Sequence, residues 1–262
     1  MKTISIVNLK GGVGKTVTTI NMAAVLASIY DKQVLVMDAD PQANATRFYG
    51  LDGKECNTMT SILACEVDYY PDYIYNTKHQ NVFCVPADIS LIEADISSIR
   101  VGGAINALSD FIDAIKTDNE FADDNGEKPF DYCLIDCPPS FTAASVAAIA
   151  ASDEIIIPIK IDAFAIDGMR ELMKQIESVR TIRPGIKIAG VLVTMWHKSA
   201  AVVQGEELLR NARLPVFETH IRRSDKVDES TFTRMPLEEY SKTCAAAADY
   251  RRFVAEYLGE VL

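Results

Sequence analysis

The sequence predicts a doubly wound α/β fold, a mainly parallel sheet flanked by helices, on three observations. Short runs rich in Val and Ile recur along the chain and alternate with stretches of helical period, the pattern of strand, helix and strand units. The first run passes into its helix through a glycine-rich turn. Two later runs end in aspartate, as strands do where their C-terminal ends line a ligand crevice.

Taken in order, strands are expected at 3–8, 33–37, 82–85, 131–135, 154–159 and 186–193. Each is short and nearly continuously apolar, as parallel strands buried on both faces are. Helices are expected at 15–30, 89–116, 141–151, 163–182, 200–212 and 242–258. Residues 52–80 mix tyrosines with turn residues and show no clear period. Residues 117–128 are acidic and polar, and read as a solvated loop. A chain of 262 residues, 48% hydrophobic, can bury one large core, so a single domain over 1–262 is expected.

Composition excludes several classes. No stretch reaches the roughly 18 apolar residues of a membrane helix, and Asn8 and Lys10 interrupt the first apolar run before it could serve as a leader. A cytoplasmic protein is expected. Cys56, Cys65, Cys84, Cys133, Cys137 and Cys244 form no CxxC pair. Cys133 and Cys137 fall on one face of a strand, which suits buried thiols better than a metal or iron–sulfur site.

The turn itself is Lys10-Gly11-Gly12-Val13-Gly14-Lys15-Thr16, directly after Ile4-Ser5-Ile6-Val7. A strand, a glycine-rich turn and a helix start aim backbone N–H groups and the positive helix end at one spot, where polyphosphate can be cradled. Lys15 is placed to reach the β- and γ-phosphates and Thr16 to hold Mg²⁺. Nucleotide contacts are expected from Lys10, Gly11, Gly12, Val13, Gly14, Lys15, Thr16 and Val17. The usual pattern GxxxxGK(S/T) asks for glycine at position 9, where this chain has Leu9 followed by a second lysine, Lys10. Downstream, the apolar run Asp131-Tyr132-Cys133-Leu134-Ile135 ends in Asp136 and then Cys137-Pro138-Pro139. A carboxylate there sits beside the phosphate loop and can orient Mg²⁺, and the paired prolines force the chain out of the sheet.

These residues resemble the ParA/MinD family of ATPases, whose deviant Walker A loop carries the extra lysine. The resemblance covers nearly the whole chain and implies a P-loop ATPase using ATP and Mg²⁺. In that family the extra lysine crosses a homodimer interface to the partner's nucleotide, so Lys10, Lys15 and Asp40 are the implied catalytic residues. The stretch Asp38-Ala39-Asp40-Pro41-Gln42-Ala43-Asn44 matches the family's DxDPQ(G/A)N. It makes Asp40 the water-positioning residue and Asp38 a support of the metal site formed with Thr16 and Asp136. Ala43 and Val17 stand where the family commonly has glycine and threonine. Gly190–Met195 and Pro215–Ser224 resemble the partition branch and are expected on the sheet's C-terminal rim.

Branches of the family differ in what they move. A membrane-binding member ends in a basic amphipathic helix, whereas the residues after Arg252 hold two acids and no base. The tyrosines lack the clustering of kinase relatives, and the cluster-carrying relatives' cysteines are missing. A ParA-type partitioning ATPase is therefore the function implied: an ATP-dependent dimer that binds DNA nonspecifically and is released when a ParB-like, centromere-binding partner stimulates a slow basal hydrolysis. It would be cytoplasmic, nucleoid-associated with ATP, without membrane contact and without an N-terminal helix-turn-helix domain. Alternatives are an ATP-dependent positioning protein for non-DNA cargo, or a MinD-like membrane-associated ATPase. The net charge of −11 opposes DNA binding. However, residues 183–252 hold 12 Lys/Arg and 9 Asp/Glu, net +3, against −14 elsewhere. Within that third, Lys198, Arg222, Arg223 and Lys226 match, on segments that read as loops, the family's DNA-contacting positions.

Overall fold

The computed structural model describes residues 1–94, 104–117, 130–212 and 214–260. Among the described residues seven strands form one sheet: β1 (Lys2–Ile6), β2 (Val34–Asp38), β3 (Tyr75–Asn76), β4 (Val82–Val85), β5 (Tyr132–Asp136), β6 (Glu154–Lys160) and β7 (Lys187–Thr194). Their order is β3-β4-β2-β5-β1-β6-β7. All neighbours are parallel except β3, a two-residue antiparallel edge on β4. Around the sheet lie α1 (Lys15–Tyr30), α2 (Asn44–Phe48), α3 (Met59–Leu63), α4 (Ala104–Thr117), α5 (Ala143–Ala151), α6 (Ala165–Arg180), α7 (Ala200–Asn211), α8 (Asp225–Thr233), α9 (Leu237–Tyr240) and α10 (Ala245–Leu258).

The period-2 alternation of each strand splits the core between the sheet's two faces. Ile4, Ile6, Val34, Val36 and Leu134 pack towards α1 and α10. Leu35, Met37, Cys133, Ile135 and Ile157 pack on the other face, against α3 to α6. Cys133 and Cys137 share that face and are free, fully buried thiols, pushed up to about 12 chiefly by burial. The chain runs from β1 through α1 to β2 on one side, and from β5 through α5 across β1 to β6 on the other. That reversal opens a crevice at the C-terminal ends of β1, β2 and β5.

The six expected strands are present, each with bounds shifted by no more than a residue or two. Residues 52–80, without period in sequence, supply α3, a 3₁₀ turn (Tyr70–Tyr73) and β3. The helix expected at 89–116 is described as α4 from Ala104, and 95–103 lie outside the described residues, as does the expected acidic loop beyond Thr117. Two expectations are corrected. Gly190–Thr194 belong to β7, with Val191 and Leu192 fully buried in the core; only Met195 onward reaches the rim. Lys226, expected on a loop-like segment, lies in α8, capped where the Ser224 hydroxyl accepts from Lys226 N–H. Ser230 is the one buried residue of α8, so no apolar stripe marked this helix in sequence.

Candidate functional site

The glycine-rich turn leaves β1 and enters α1 with Gly12 at φ 69° and Gly14 at φ 86°, left-handed values that glycine adopts without the strain a Cβ brings. Two side chains the sequence reading passed over hold this loop. The Asn8 amide donates to Pro158 O (2.7 Å) and accepts from Lys10 N–H (2.9 Å). Thr194, at the end of β7, donates to Val13 O (2.8 Å), with Ile159 O at 3.2 Å.

Lys15, 7% exposed, folds back so that Nζ donates to Lys10 O at 3.2 Å. Burial lowers its pKa, while Asp136, Cys137 and Asp40 act against that fall. Beneath it, β2 and β5 run in register with Asp38 opposite Asp136. Register alone puts two carboxylates side by side where no water reaches them.

The two are treated differently. Asp38 is satisfied: Oδ1 accepts from Asp40 N–H at 3.1 Å, and Oδ2 accepts from the Thr46 N–H and hydroxyl, both at 2.8 Å. Burial still raises its pKa to about 6 against these bonds. Thr46 also accepts from Ala87 N–H at 2.9 Å. Asp38 thus fixes the loop after β2 rather than pointing at a ligand. Asp136 is fully buried with neither carboxylate oxygen hydrogen-bonded. Burial pushes its pKa well up, Asp38 adds to that, and the nearby Thr16 hydroxyl and Lys15 oppose it. An orphaned buried carboxylate is costly unless something pairs with it. Asp136 and Thr16 fit Mg²⁺, a hard cation held by one or two carboxylates together with substrate phosphates. Asp38 fits a supporting role.

Asp40 lies in the same crevice, 6% exposed, with Oδ1 accepting from Gln42 N–H at 2.8 Å. Ala43 sits at φ 52°, the left-handed region, which accounts physically for glycine at this place in relatives. Lys10 projects from the loop's edge and forms an ion pair with Asp162, just after β6. Sequence reading did not single out Asp162.

Beyond Gly14 and Val17 the crevice widens into a cavity of about 260 Å³ bordered by Met195, Ile221, Ser224 and Tyr250. Two acids of α10 fasten its outer wall. Glu256 accepts from Glu218 N–H (2.6 Å) and Thr219 N–H (2.9 Å). Asp249 accepts from Arg222 N–H (3.0 Å), Nε (2.8 Å) and Nη2 (2.7 Å). The four basic residues expected to touch DNA therefore divide. Arg222 is committed to the buried Asp249, a correction to its reading as a free contact. Lys226 pairs with Glu229 at 2.6 Å, in the first turn of α8. Lys198 and Arg223 make no ion pair among the described residues, and the Trp196–Arg222 bridge brings their segments together.

Known proteins resemble the chain over nearly its whole length. A family model described as an AAA domain matches residues 1–188. The chain is similar to the chromosome partitioning protein ParA of Caulobacter vibrioides, 31% identical over 98% of this chain and 94% of that one. It is also similar to the sporulation initiation inhibitor protein Soj of Bacillus subtilis, 32% identical over 95% of each. Among solved structures, McdA of Cyanothece without nucleotide matches with a TM-score of 0.85 and 25% identity, over 99% of this chain and all of that one.

Proposed function

This chain belongs to the ParA/MinD family of deviant Walker A ATPases, and we propose that it is a ParA-type partitioning ATPase, a single P-loop domain whose ATP-bound dimer binds DNA without sequence preference. The nucleotide half of the reading rests on the Asp136 carboxylate, buried and unbonded beside Lys15 under a loop of left-handed glycines. The partition half is supported by likeness to proteins named for chromosome partitioning.

In this reading the N–H groups of Gly11 to Thr16 and the Lys15 ammonium bind the phosphates, and Thr16 and Asp136 hold Mg²⁺. Bound there, Mg²⁺ would supply positive charge to neutralise negative charge on the phosphates. Asp38 keeps the following loop in place, so that Asp40 can orient the attacking water. Lys10 reaches the phosphates of the second protomer, and the cavity beyond Gly14 receives the nucleoside. The basal rate is slow until a ParB-like partner accelerates it. Lys198 and Arg223, doubled across the dimer, contact DNA phosphates. The protein is cytoplasmic and joins the nucleoid with ATP.

A second reading, positioning of a protein cargo by the same switch, is favoured by the net charge of −11 and by the ion pairs that occupy Arg222 and Lys226. The shared mechanism is tested by light scattering with Mg²⁺ and ATP. Wild type should double its mass while Lys10→Ala binds ATP and stays monomeric. A Lys10→Ala protein that dimerises and hydrolyses normally would remove the sandwich dimer.

A further inference from the structure

Lys10 is held at three points. Its N–H donates to Asn8 and its carbonyl accepts from Lys15, so the backbone is fixed from both sides. Its ammonium meets the Asp162 carboxylate, in a pair whose side chains are 40% and 32% exposed. Asp162 is anchored in turn: Oδ1 accepts from Phe164 N–H (3.1 Å), and its carbonyl accepts from Ala165 N–H (3.1 Å), at the entry to α6. The side chain expected to leave its protomer is thus engaged inside it.

We infer that Asp162 is a positioning residue that stows the Lys10 ammonium within its own protomer, so that closing the nucleotide-bound dimer opens this pair in both copies. The inference rests on the proposed dimer. Electrostatics sets the direction. A carboxylate kept on Lys10 as the lysine docks on a triphosphate would be carried towards several negative charges, and repelled. Phosphate, with more charge than a carboxylate, takes the ammonium over. Once released, Asp162 still feels the charge of Lys160, which acts on it in the same sense as Lys10.

The hold is weak. A partly exposed pair of this kind biases its equilibrium by about 1.5- to 5-fold, and two openings per dimer multiply to about 2- to 25-fold. That shifts the free protein towards the monomer, yet is too little to block a saturated dimer. Phe164, 74% exposed beside the anchor, shares this strap and is uncovered in the monomer.

The test is the dimer dissociation constant from analytical ultracentrifugation of the full chain with Mg²⁺ and AMPPNP, at low and high salt. Asp162→Asn and Asp162→Ser remove the charge but keep a side chain able to accept from Phe164 N–H, so both should fold, and matching melting curves would verify it. Each should tighten the dimer about 2- to 25-fold at low salt, with the gain shrinking at high salt as the pair is screened. Asp162→Glu should behave as wild type, and ADP affinity should stay unchanged in all variants. Neutral variants that dimerise no better than wild type, or worse, overturn the stowing role while leaving the dimer standing. A wild-type protein that stays monomeric under saturating nucleotide overturns the dimer and the stowing role together.

Discussion

The phosphate end of the crevice and the C-terminal rim are both dense in charge, but they are balanced in opposite ways. At the phosphate end, Asp136 is buried with two unbonded oxygens, and Lys15 is buried with, among the described residues, a carbonyl as its one hydrogen-bond partner. On the rim, Arg222 meets Asp249, Lys226 meets Glu229, Arg251 meets Glu238 and Arg210 meets Glu206. The first arrangement is incomplete without a ligand. The second is complete by itself, so an excess of basic residues counted along the chain overstates the basic surface available to a partner.

The contrast is broken most severely at the phosphate loop. Lys15→Ala should abolish measurable ATP binding in calorimetry, since it removes a buried cation placed to face the phosphates. Binding retained within tenfold would mean the loop is not the nucleotide site. Next, Asp40→Ala should cut hydrolysis by about 10²-fold or more while ATP still traps a dimer, whereas Asp136→Ala should weaken binding only where Mg²⁺ is present. Equal loss of affinity in both would undo the assignment of Asp40.

On the rim the same logic gives a stability effect. Arg222→Ala takes the main side-chain partner from the buried Asp249, which keeps the residue-222 N–H and Arg252, and should cost about 1 to 3 kcal/mol in denaturant unfolding, while Arg223→Ala should stay within about 0.5 kcal/mol. Similar small costs for both would show that the Arg222–Asp249 pair is not structural.

The smallest effect sharpens the phosphate end. Burial favours the protonated carboxyl at Asp38 and Asp136, and bound Mg²⁺ favours the ionised one, so binding of Mg²⁺ with ATP must release protons. Affinity should therefore rise with pH, by at most about tenfold per pH unit for each proton displaced. The share from Asp38 should level off above about pH 6, and Asp136, raised in the same direction, should add to the rise. Calorimetry in buffers of different ionisation enthalpy reads the released protons directly.

What the sequence disclosed follows the range of each interaction. β1, β2, β5 and the glycine loop are contiguous, and their apolar runs and left-handed glycines are stated locally, so strand, turn and helix could be placed to within a residue or two. Asp136 was legible because it ends a buried strand. Partnerships were not: Asp162 lies 152 residues from Lys10 and Asp249 lies 27 from Arg222, and neither acid belongs to a pattern that names its mate. Asn8 and Thr194, which hold the loop, look like ordinary strand-end residues. β3 and α3 are too short for a period to register, and α8 is polar on nearly every face.

Of the four basic residues expected on DNA, Lys198 and Arg223 make no ion pair among the described residues, and they carry the claim that this ATPase binds DNA. Titration of labelled random-sequence duplex, at two salt concentrations and with ATP, ADP or no nucleotide, tests it most directly. Binding should require ATP, fall steeply with salt as counterions are released, and vary little with base sequence. Lys198→Ala with Arg223→Ala should weaken it about tenfold or more at unchanged ATP affinity. No ATP-dependent binding at low salt would contradict the partition reading and leave protein cargo as the account to pursue.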